Sequence, residues 1–487
     1  MKTGSVLFVG AGPGDPKLLT IRGKEALEHA DVVIYDRLAN PLLLGHVKND
    51  AKLIYCGKEA DRHTLPQDQI NLLLIEEAQK GKTVVRLKGG DPSMFGRVGE
   101  EAQMCLSHGI PFEIVPGVTS GMAAPLYAGI PLTHREYNSS VAFVTGHLCD
   151  KNAEKEPDWA ALSSVETLVI YMGVKNLPRI RERLLAHGKA KETPVALVRW
   201  GTLGEQKTLV GKLDTIDQDV AQARFAAPAI IIVGEVVRLR ESLNWYESRP
   251  LFGKRIAVAA KTTEGREADL ATRLEKLGAE VVPIPLMETV VSTSAAGTGI
   301  PADFSSYQWL VFDDERQVSF FFQELRLRRF DLRQIKSKLA ARGRLAAEAL
   351  EKRGLYPNLV LDELLTTSTV HLHLSLGKGD RILHLSAGKS MVVLHAQGTV
   401  THTVQAGTVE WNHAHPTTEW ISERPIDWLA TDDSYALPAL AAFAGVEWQT
   451  KPIMCVGTDT EGKAREMGWR IVTNLLSTQE PEKILSL

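Results

Sequence analysis

From Ser5 onward, short apolar runs alternate with stretches whose apolar residues recur at helical spacing. Ser5 to Val9 reads as a strand and Lys17 to Ala30 as a helix. Asp31 to Tyr35 and Lys52 to Cys56 read as further strands. Pro66 to Lys80 repeats Ile70, Leu73, Leu74 and Ala78 on one helical face, and Thr83 to Leu87 is again a strand. Helices are expected over Gly99 to His108 and Thr119 to Ala128, with the strand Phe112 to Val115 between them. A second series of strands follows at Val141 to Thr145, Thr167 to Met172, Val195 to Arg199, Thr208 to Val210 and Ala229 to Val233. Helix Asn176 to His187 and segment Thr215 to Ala223 lie among them. Strands spaced by helices of this length imply βαβ units and a mostly parallel α/β fold.

The stretch Asn244 to Lys254 carries Arg249-Pro250 and Gly253 and loses all periodicity, as a linker does. The pattern then restarts with the strand Arg255 to Ala259, the helix Glu267 to Leu277 and the strand Glu280 to Pro283. Residues 1–245 and 255–487 are therefore expected to fold as separate α/β modules joined through 246–254.

The totals narrow the function classes. A chain of 487 residues, 44% hydrophobic and 24% charged, has material for several full cores. Its longest apolar run, Ala226 to Val233, is far too short to cross a bilayer, so no membrane role is expected. The opening Met1-Lys2 and Val6 to Val9 mimic a signal peptide but run into Gly10-Ala11-Gly12-Pro13-Gly14, which is turn chemistry; a cytoplasmic protein is expected. Four scattered cysteines make neither a disulfide framework nor a thiolate metal site. A net charge of −3 without a basic run gives no case for nucleic acid. An anionic substrate must then be held by local cations.

Three glycine-rich loops follow strands in the first half: Gly10 to Pro16, Lys88-Gly89-Gly90-Asp91-Pro92, and Pro116-Gly117-Val118-Thr119-Ser120-Gly121. Loops of this kind at the carboxyl ends of parallel strands let backbone approach a ligand closely. The first loop also suggests a dinucleotide fingerprint, but Asp15 stands where that motif needs its third glycine, and Pro13 stiffens the turn.

Gly10-Ala11-Gly12-Pro13-Gly14-Asp15-Pro16-Lys17-Leu18-Leu19-Thr20 resembles the opening signature of the tetrapyrrole (corrin/porphyrin) methyltransferases. Val33 to Leu38, Val85 to Pro92, Val115 to Ser120, Gly129 to Arg135, Val144 to His147 and Tyr171-Met172-Gly173 resemble later blocks of that family, in unbroken order to about residue 245. Gly57-Lys58-Glu59-Ala60 with His63, Pro66-Gln67 and Ile70-Asn71 is similar to the branch that methylates uroporphyrinogen III. The resemblance implies a two-domain tetrapyrrole methylase fold, a homodimer, and S-adenosylmethionine bound in the cleft, leaving as S-adenosylhomocysteine. It implies two successive C-methylations of uroporphyrinogen III to precorrin-2, for siroheme or cobalamin.

Carried over by position, the resemblance lines the cofactor site with Pro13, Gly89, Gly90, Asp91, Met94, Thr119, Ser120, Met172 and Gly201. Met94 and Met172 read equally well as core. It makes Asp36 a proton acceptor and Lys58 a proton donor; the plain alternative for Asp36 is a structural ion pair. Arg22, Arg37, Arg86, Lys88, Arg97, His134 and Arg135 fall in or beside the same loops and would meet the eight substrate carboxylates, the alternative being a solvated charged face.

The second half resembles the uroporphyrinogen III synthases at Arg255 to Pro283, Tyr307 to Phe312 and Ile453 to Gly468. That implies a bilobed, flavodoxin-like α/β module, one lobe about 255–287 with 412–487 and the other about 288–411, cyclising hydroxymethylbilane. Where that family carries Thr-Ser loops, this chain has Asp313-Asp314-Glu315-Arg316 and Thr431-Asp432-Asp433-Ser434, and its expected tyrosine is missing near Gly407 to Trp411. Acidic loops would repel a polycarboxylate, so a non-catalytic docking module stands as the second reading. Seven of the fourteen histidines lie between His371 and His415, including His371-Leu372-His373 and His413-Ala414-His415. No carboxylate or cysteine pattern accompanies them, and surface histidines are expected rather than a metal site.

Overall fold

The computed structural model describes residues 3–48, 50–57, 66–146, 157–260, 266–289, 300–301, 306–361, 379–386, 400–405, 408–412, 415, 417–418, 421, 424–448 and 450–474. Lys58, His63, His371, His373 and His413, all singled out above, lie outside the described residues.

The first sheet joins β1 (Ser5–Gly10), β2 (Val32–Tyr35), β3 (Lys52–Tyr55), β4 (Thr83–Lys88) and β5 (Phe112–Val115) in the order β3-β2-β4-β1-β5. All of its pairings are parallel. Its central strands are buried on both faces, so β1 reads as a continuous apolar run, while β4 interrupts its own with Arg86 and Lys88 on one face. Val6, Phe8, Val32, Ile34 and Val84 pack into one core; Leu7, Val9, Val33, Val85 and Leu87 pack into the other. Helices α1 (Ile21–His29), α2 (Gln67–Gln79), α3 (Val98–Ser107) and α4 (Ser120–Tyr127) connect this part of the chain. The helix expected over Lys17 to Ala30 is shorter. A 3-10 turn at Pro16–Leu18 precedes α1, whose N-cap Thr20 accepts from the Gly23 amide at 3.1 Å.

The second sheet is mixed, with order β6-β7-β10-β8-β9. Its strands are β6 (Val141–Thr145), β7 (Thr167–Tyr171), β8 (Pro194–Arg199), β9 (Lys207–Lys212) and β10 (Ala229–Val233). β9 begins one residue before and ends two residues beyond the expected segment because it pairs antiparallel with β8 along its whole length.

Contacts divide the chain into two compact units. One comprises Met1–Pro285, Asn412–Ser434 and Ala444–Leu487, the other Leu286–Trp411 and Tyr435–Phe443. The first unit also holds a parallel sheet of β11 (Arg255–Ala260), the opening part of β12 (Glu280–Thr289), β19 (Trp428–Thr431), β20 (Pro452–Cys455) and β21 (Arg470–Asn474). In order of appearance these strands lie 2-1-3-4-5, the flavodoxin arrangement. The second unit is built on the parallel sheet β15 (Leu359–Leu361), β14 (Lys338–Arg342), β13 (Trp309–Phe312), β16 (Arg381–Ser386) and β17 (Val400–Gln405). Its order is 3-2-1-4-5, so this lobe is doubly wound without being flavodoxin-like in strand order. β12 extends to Thr289, past the Pro283 end read from the sequence, because Leu286–Thr289 pairs antiparallel with β18 (Thr408–Trp411). Among the described residues no helix is long and apolar enough to cross a membrane.

Candidate functional site

The three glycine loops meet backbone to backbone. Gly12 and Gly90 exchange amide hydrogen bonds of 3.2 and 2.7 Å, an antiparallel bridge between the loops after β1 and β4. A Cβ on Gly117 would fall 2.4 Å from the Gly90 carbonyl oxygen, and one on Gly10 2.6 Å from the Cα of Gly117. Only hydrogen fits at these places, so the glycine pattern is a packing requirement. Asp91 ties the third loop down: its carboxylate accepts from the Gly117 amide at 2.9 Å and the Ser93 amide at 2.7 Å. Partial burial works against the charged Asp91, but these hydrogen bonds outweigh it and hold the carboxyl below its usual range.

Asp15, which breaks the dinucleotide pattern, has a different task. Its side chain caps the Pro16–Leu18 turn, its amide donates to the Thr202 hydroxyl at 2.9 Å, and it accepts from the Tyr127 hydroxyl at 3.1 Å.

Above the loops opens a cavity of about 840 Å³. Pro13, Gly89, Gly90 and Ser120 line it from the first sheet, with Asp36 and Arg37 after β2 and Tyr55 at the end of β3. Tyr171, Met172, Trp200 and Gly201 line it from the strand ends of the second sheet. Met172 (φ 53°) and Trp200 (φ 48°) hold left-handed backbone, a conformation that costs a side-chain-bearing residue about 1–3 kcal/mol and clusters at ligand sites. The Tyr171 hydroxyl bonds to the Thr119 hydroxyl at 2.7 Å and accepts from the Gly121 amide at 3.0 Å. Burial pushes its pKa up, so it stays a neutral fixture at the start of α4. The Arg37 guanidinium lies 5.7 Å from the centre of the Trp200 ring.

Asp36 accepts from the Leu38 amide at 3.0 Å and from the Arg86 guanidinium at 3.2 Å. Behind it runs a buried chain of charge. Arg86 lies 3.7 Å from Glu101, and the Lys88 ammonium donates to both Glu101 oxygens, at 2.9 and 2.8 Å. Gln67 adds a bond of 2.9 Å to the same carboxylate. The Glu101 side chain is wholly buried, and those of Arg86 and Lys88 are nearly so. Burial, then repulsion from Arg86, lowers the Lys88 pKa.

Several expected positions fall elsewhere. Arg86 and Lys88 are internal struts committed to Glu101, because strand alternation turns both into the core beside Val84. Arg22 pairs with Glu113 and Glu25 in solvent, and Arg97 with Glu100. His134 packs against Tyr137, and Arg135 is exposed; neither is on the cavity wall. Asp91 and Thr119 brace the wall from behind, and Met94 packs against the core that includes Ala124 and Tyr171. The sequence reading missed Tyr171 and Trp200, though each sits at a strand end beside a residue it named. It also missed Lys175 and Arg424, whose places nothing in the pattern marks.

In the second unit the acidic loop has structural tasks. Asp314 caps the helix Glu315–Leu327, and Asp313 bonds to the buried His384 at 2.9 Å. Among the described residues no group of three metal-binding side chains forms.

Comparison with known proteins bears on this site. The family described as Tetrapyrrole (Corrin/Porphyrin) Methylases matches residues 5–217, and Uroporphyrinogen-III synthase HemD matches residues 268–474. A uroporphyrinogen-III C-methyltransferase of Bacillus subtilis (strain 168) is 48% identical over 358 residues, 73% of this chain and 72% of that protein. The chain belongs to the uroporphyrinogen-III C-methyltransferase family. A siroheme synthase of Pseudomonas fluorescens (strain Pf0-1) is 51% identical over 246 residues, 50% of this chain and 53% of that protein. Among solved structures, a uroporphyrin-III C-methyl transferase from Thermus thermophilus, complexed with S-adenyl homocysteine, is 39% identical. It matches at a TM-score of 0.41, over 48% of this chain and 100% of that one. In this C-methyltransferase family member the glycine cradle, the strained Met172 and the Asp36 carboxylate thus share one cavity.

Proposed function

We propose that the cavity takes S-adenosylmethionine against the glycine cradle and methylates uroporphyrinogen III twice, giving precorrin-2 for siroheme, or cobalamin, synthesis. The observation that carries this reading is the convergence of Gly90, Ser120, Met172 and Gly201 with Asp36 in one cavity. The cradle suits a ligand held close to backbone: a Cβ on Gly201 would fall 2.3 Å from that of Ala124, so the wall there is backbone and small side chains. The bound sulfonium supplies an activated methyl group. The chain's own residues supply position, exclusion of water, and a carboxylate for the proton that leaves the macrocycle once the ring carbon has bonded the methyl group and the thioether has departed. In this reading Asp36 takes that proton, Lys58 donates one, and Arg37 with Lys175 meets substrate carboxylates.

The methyltransferase half works as a cytoplasmic homodimer in the same reading, for which exposed Ile21, Phe112, Ile114 and Met122 leave apolar surface. For the second half, the docking-module reading is favoured over cyclisation of hydroxymethylbilane. Asp313 and Asp314 occupy a strand end where a carboxylate-rich substrate would need donors.

The cradle is tested by titrating S-adenosylhomocysteine into the wild-type chain and Gly117→Ala. The methyl group must displace the Gly90 carbonyl, costing about 1–3 kcal/mol. At least a tenfold loss of affinity in a folded variant is expected; unchanged affinity would place the cofactor elsewhere.

A further inference from the structure

Among the described residues lining the cavity, the cations are Arg37, Lys175 and Arg424. Two belong to the methyltransferase half; Arg424 lies in the region matching the synthase family, within the same compact unit. We infer that Arg424 is a substrate-binding residue of the methyltransferase cavity, lent by the C-terminal half to hold a carboxylate of the tetrapyrrole. The inference rests on the proposed methylation of uroporphyrinogen III.

The residues around Arg424 build this position. Arg255 at the start of β11 is buried, and its guanidinium donates to the carbonyls of Arg424 at 2.6 Å and Ile421 at 3.3 Å, fixing the backbone there. Glu280 at the start of β12 lies 3.3 Å from Arg255 and accepts from Arg424 through both oxygens, at 2.8 and 3.1 Å. The loop between β8 and β9 presses on this cluster, since a Cβ on Gly204 would fall 2.6 Å from that of Glu280. On that loop Glu205, itself on the cavity wall, lies 3.5 Å from Arg424. Two arginines and two glutamates thus make a cluster with no net charge. Its Arg424 and Glu205 remain 25% and 35% exposed.

A purely structural latch would not need to face the cavity. A substrate with eight carboxylates needs cations on the wall, and Glu205 at 3.5 Å is too long for a good hydrogen bond. A substrate carboxylate entering the wall would take over that side of the guanidinium, leaving Glu280 and Arg255 as the fixed base.

The test uses the full chain and steady-state kinetics with uroporphyrinogen III. Arg424→Ala should raise KM about fivefold with kcat and S-adenosylhomocysteine affinity little changed, and Arg424→Lys should recover part of the loss. Glu205→Gln removes the competing carboxylate, so its KM should stay level or fall. An unchanged KM in Arg424→Ala overturns the inference. A KM raised equally by Glu205→Gln also overturns it, because that identifies a latch. A wild-type chain that transfers no methyl group instead sinks the underlying reading.

Discussion

Replacing Asp36 by asparagine is expected to lower the rate of methyl transfer about a hundredfold, the lower range of what a positioned proton acceptor contributes. Asparagine is nearly the same size, and its carbonyl oxygen can still accept from the Leu38 amide, so the turn after β2 survives. It cannot carry the proton. The competing account is that Asp36 exists to neutralise Arg86, 3.2 Å away. That account expects a loss of stability with kcat nearly intact. The two separate when kcat, thermal unfolding and S-adenosylhomocysteine affinity are measured on one preparation. A variant with normal kcat and lowered stability would reduce Asp36 to a structural partner.

Glu101→Ala should be the most damaging single change for folding in the methyltransferase half. It strands the Lys88 ammonium and leaves Arg86 with Asp36 as its remaining carboxylate, inside a core where the lost side chain was fully buried. Removing one partner of a buried ion pair costs about 3–5 kcal/mol. Because burial already lowers the Lys88 pKa, that amine can shed its proton, which sets an upper limit on the loss. Hydrogen exchange at β4 and α3 reads the effect locally, which matters in a multi-unit chain where one global transition is not defined. The double variant Glu101→Leu with Lys88→Met should recover much of the protection. Exchange at β4 in Glu101→Ala indistinguishable from wild type would contradict the buried-chain account.

Glu101 also shows what the sequence held and what went unread. Val98, Glu101, Ala102 and Cys105 form the buried stripe of α3, the spacing of an amphipathic helix. An acidic residue on that stripe demands a buried cation, and β4 offers Arg86 and Lys88 on one face. Its neighbour Glu100 faces solvent and pairs with Arg97. Taken together, these signals place Arg86 and Lys88 in the interior rather than against substrate carboxylates. The glycine loops were legible because close backbone approach tolerates no other residue. The parallel first sheet was legible because β1 and β2, buried on both faces, are continuously apolar.

Other features had no local signal. Arg424 enters the cavity wall through a β-sheet that begins after the linker, so only tertiary packing brings it there. The strand order 3-2-1-4-5 in the second unit is likewise a matter of chain crossings that periodicity does not encode. The change at Pro16, where a 3-10 turn replaces the first helical turn, follows from two competing N-caps, Asp15 and Thr20; the sequence reading weighed neither.

The central claim is that this cavity transfers methyl groups to uroporphyrinogen III. The most direct measurement supplies the full-length chain with S-adenosylmethionine carrying a labelled methyl group and anaerobic uroporphyrinogen III, then follows label and product mass. Two labelled methyl groups on the type III product, formed about a hundredfold more slowly by Asp36→Asn, is the predicted result. A folded wild-type chain that binds S-adenosylhomocysteine yet leaves the porphyrinogen unlabelled would contradict it.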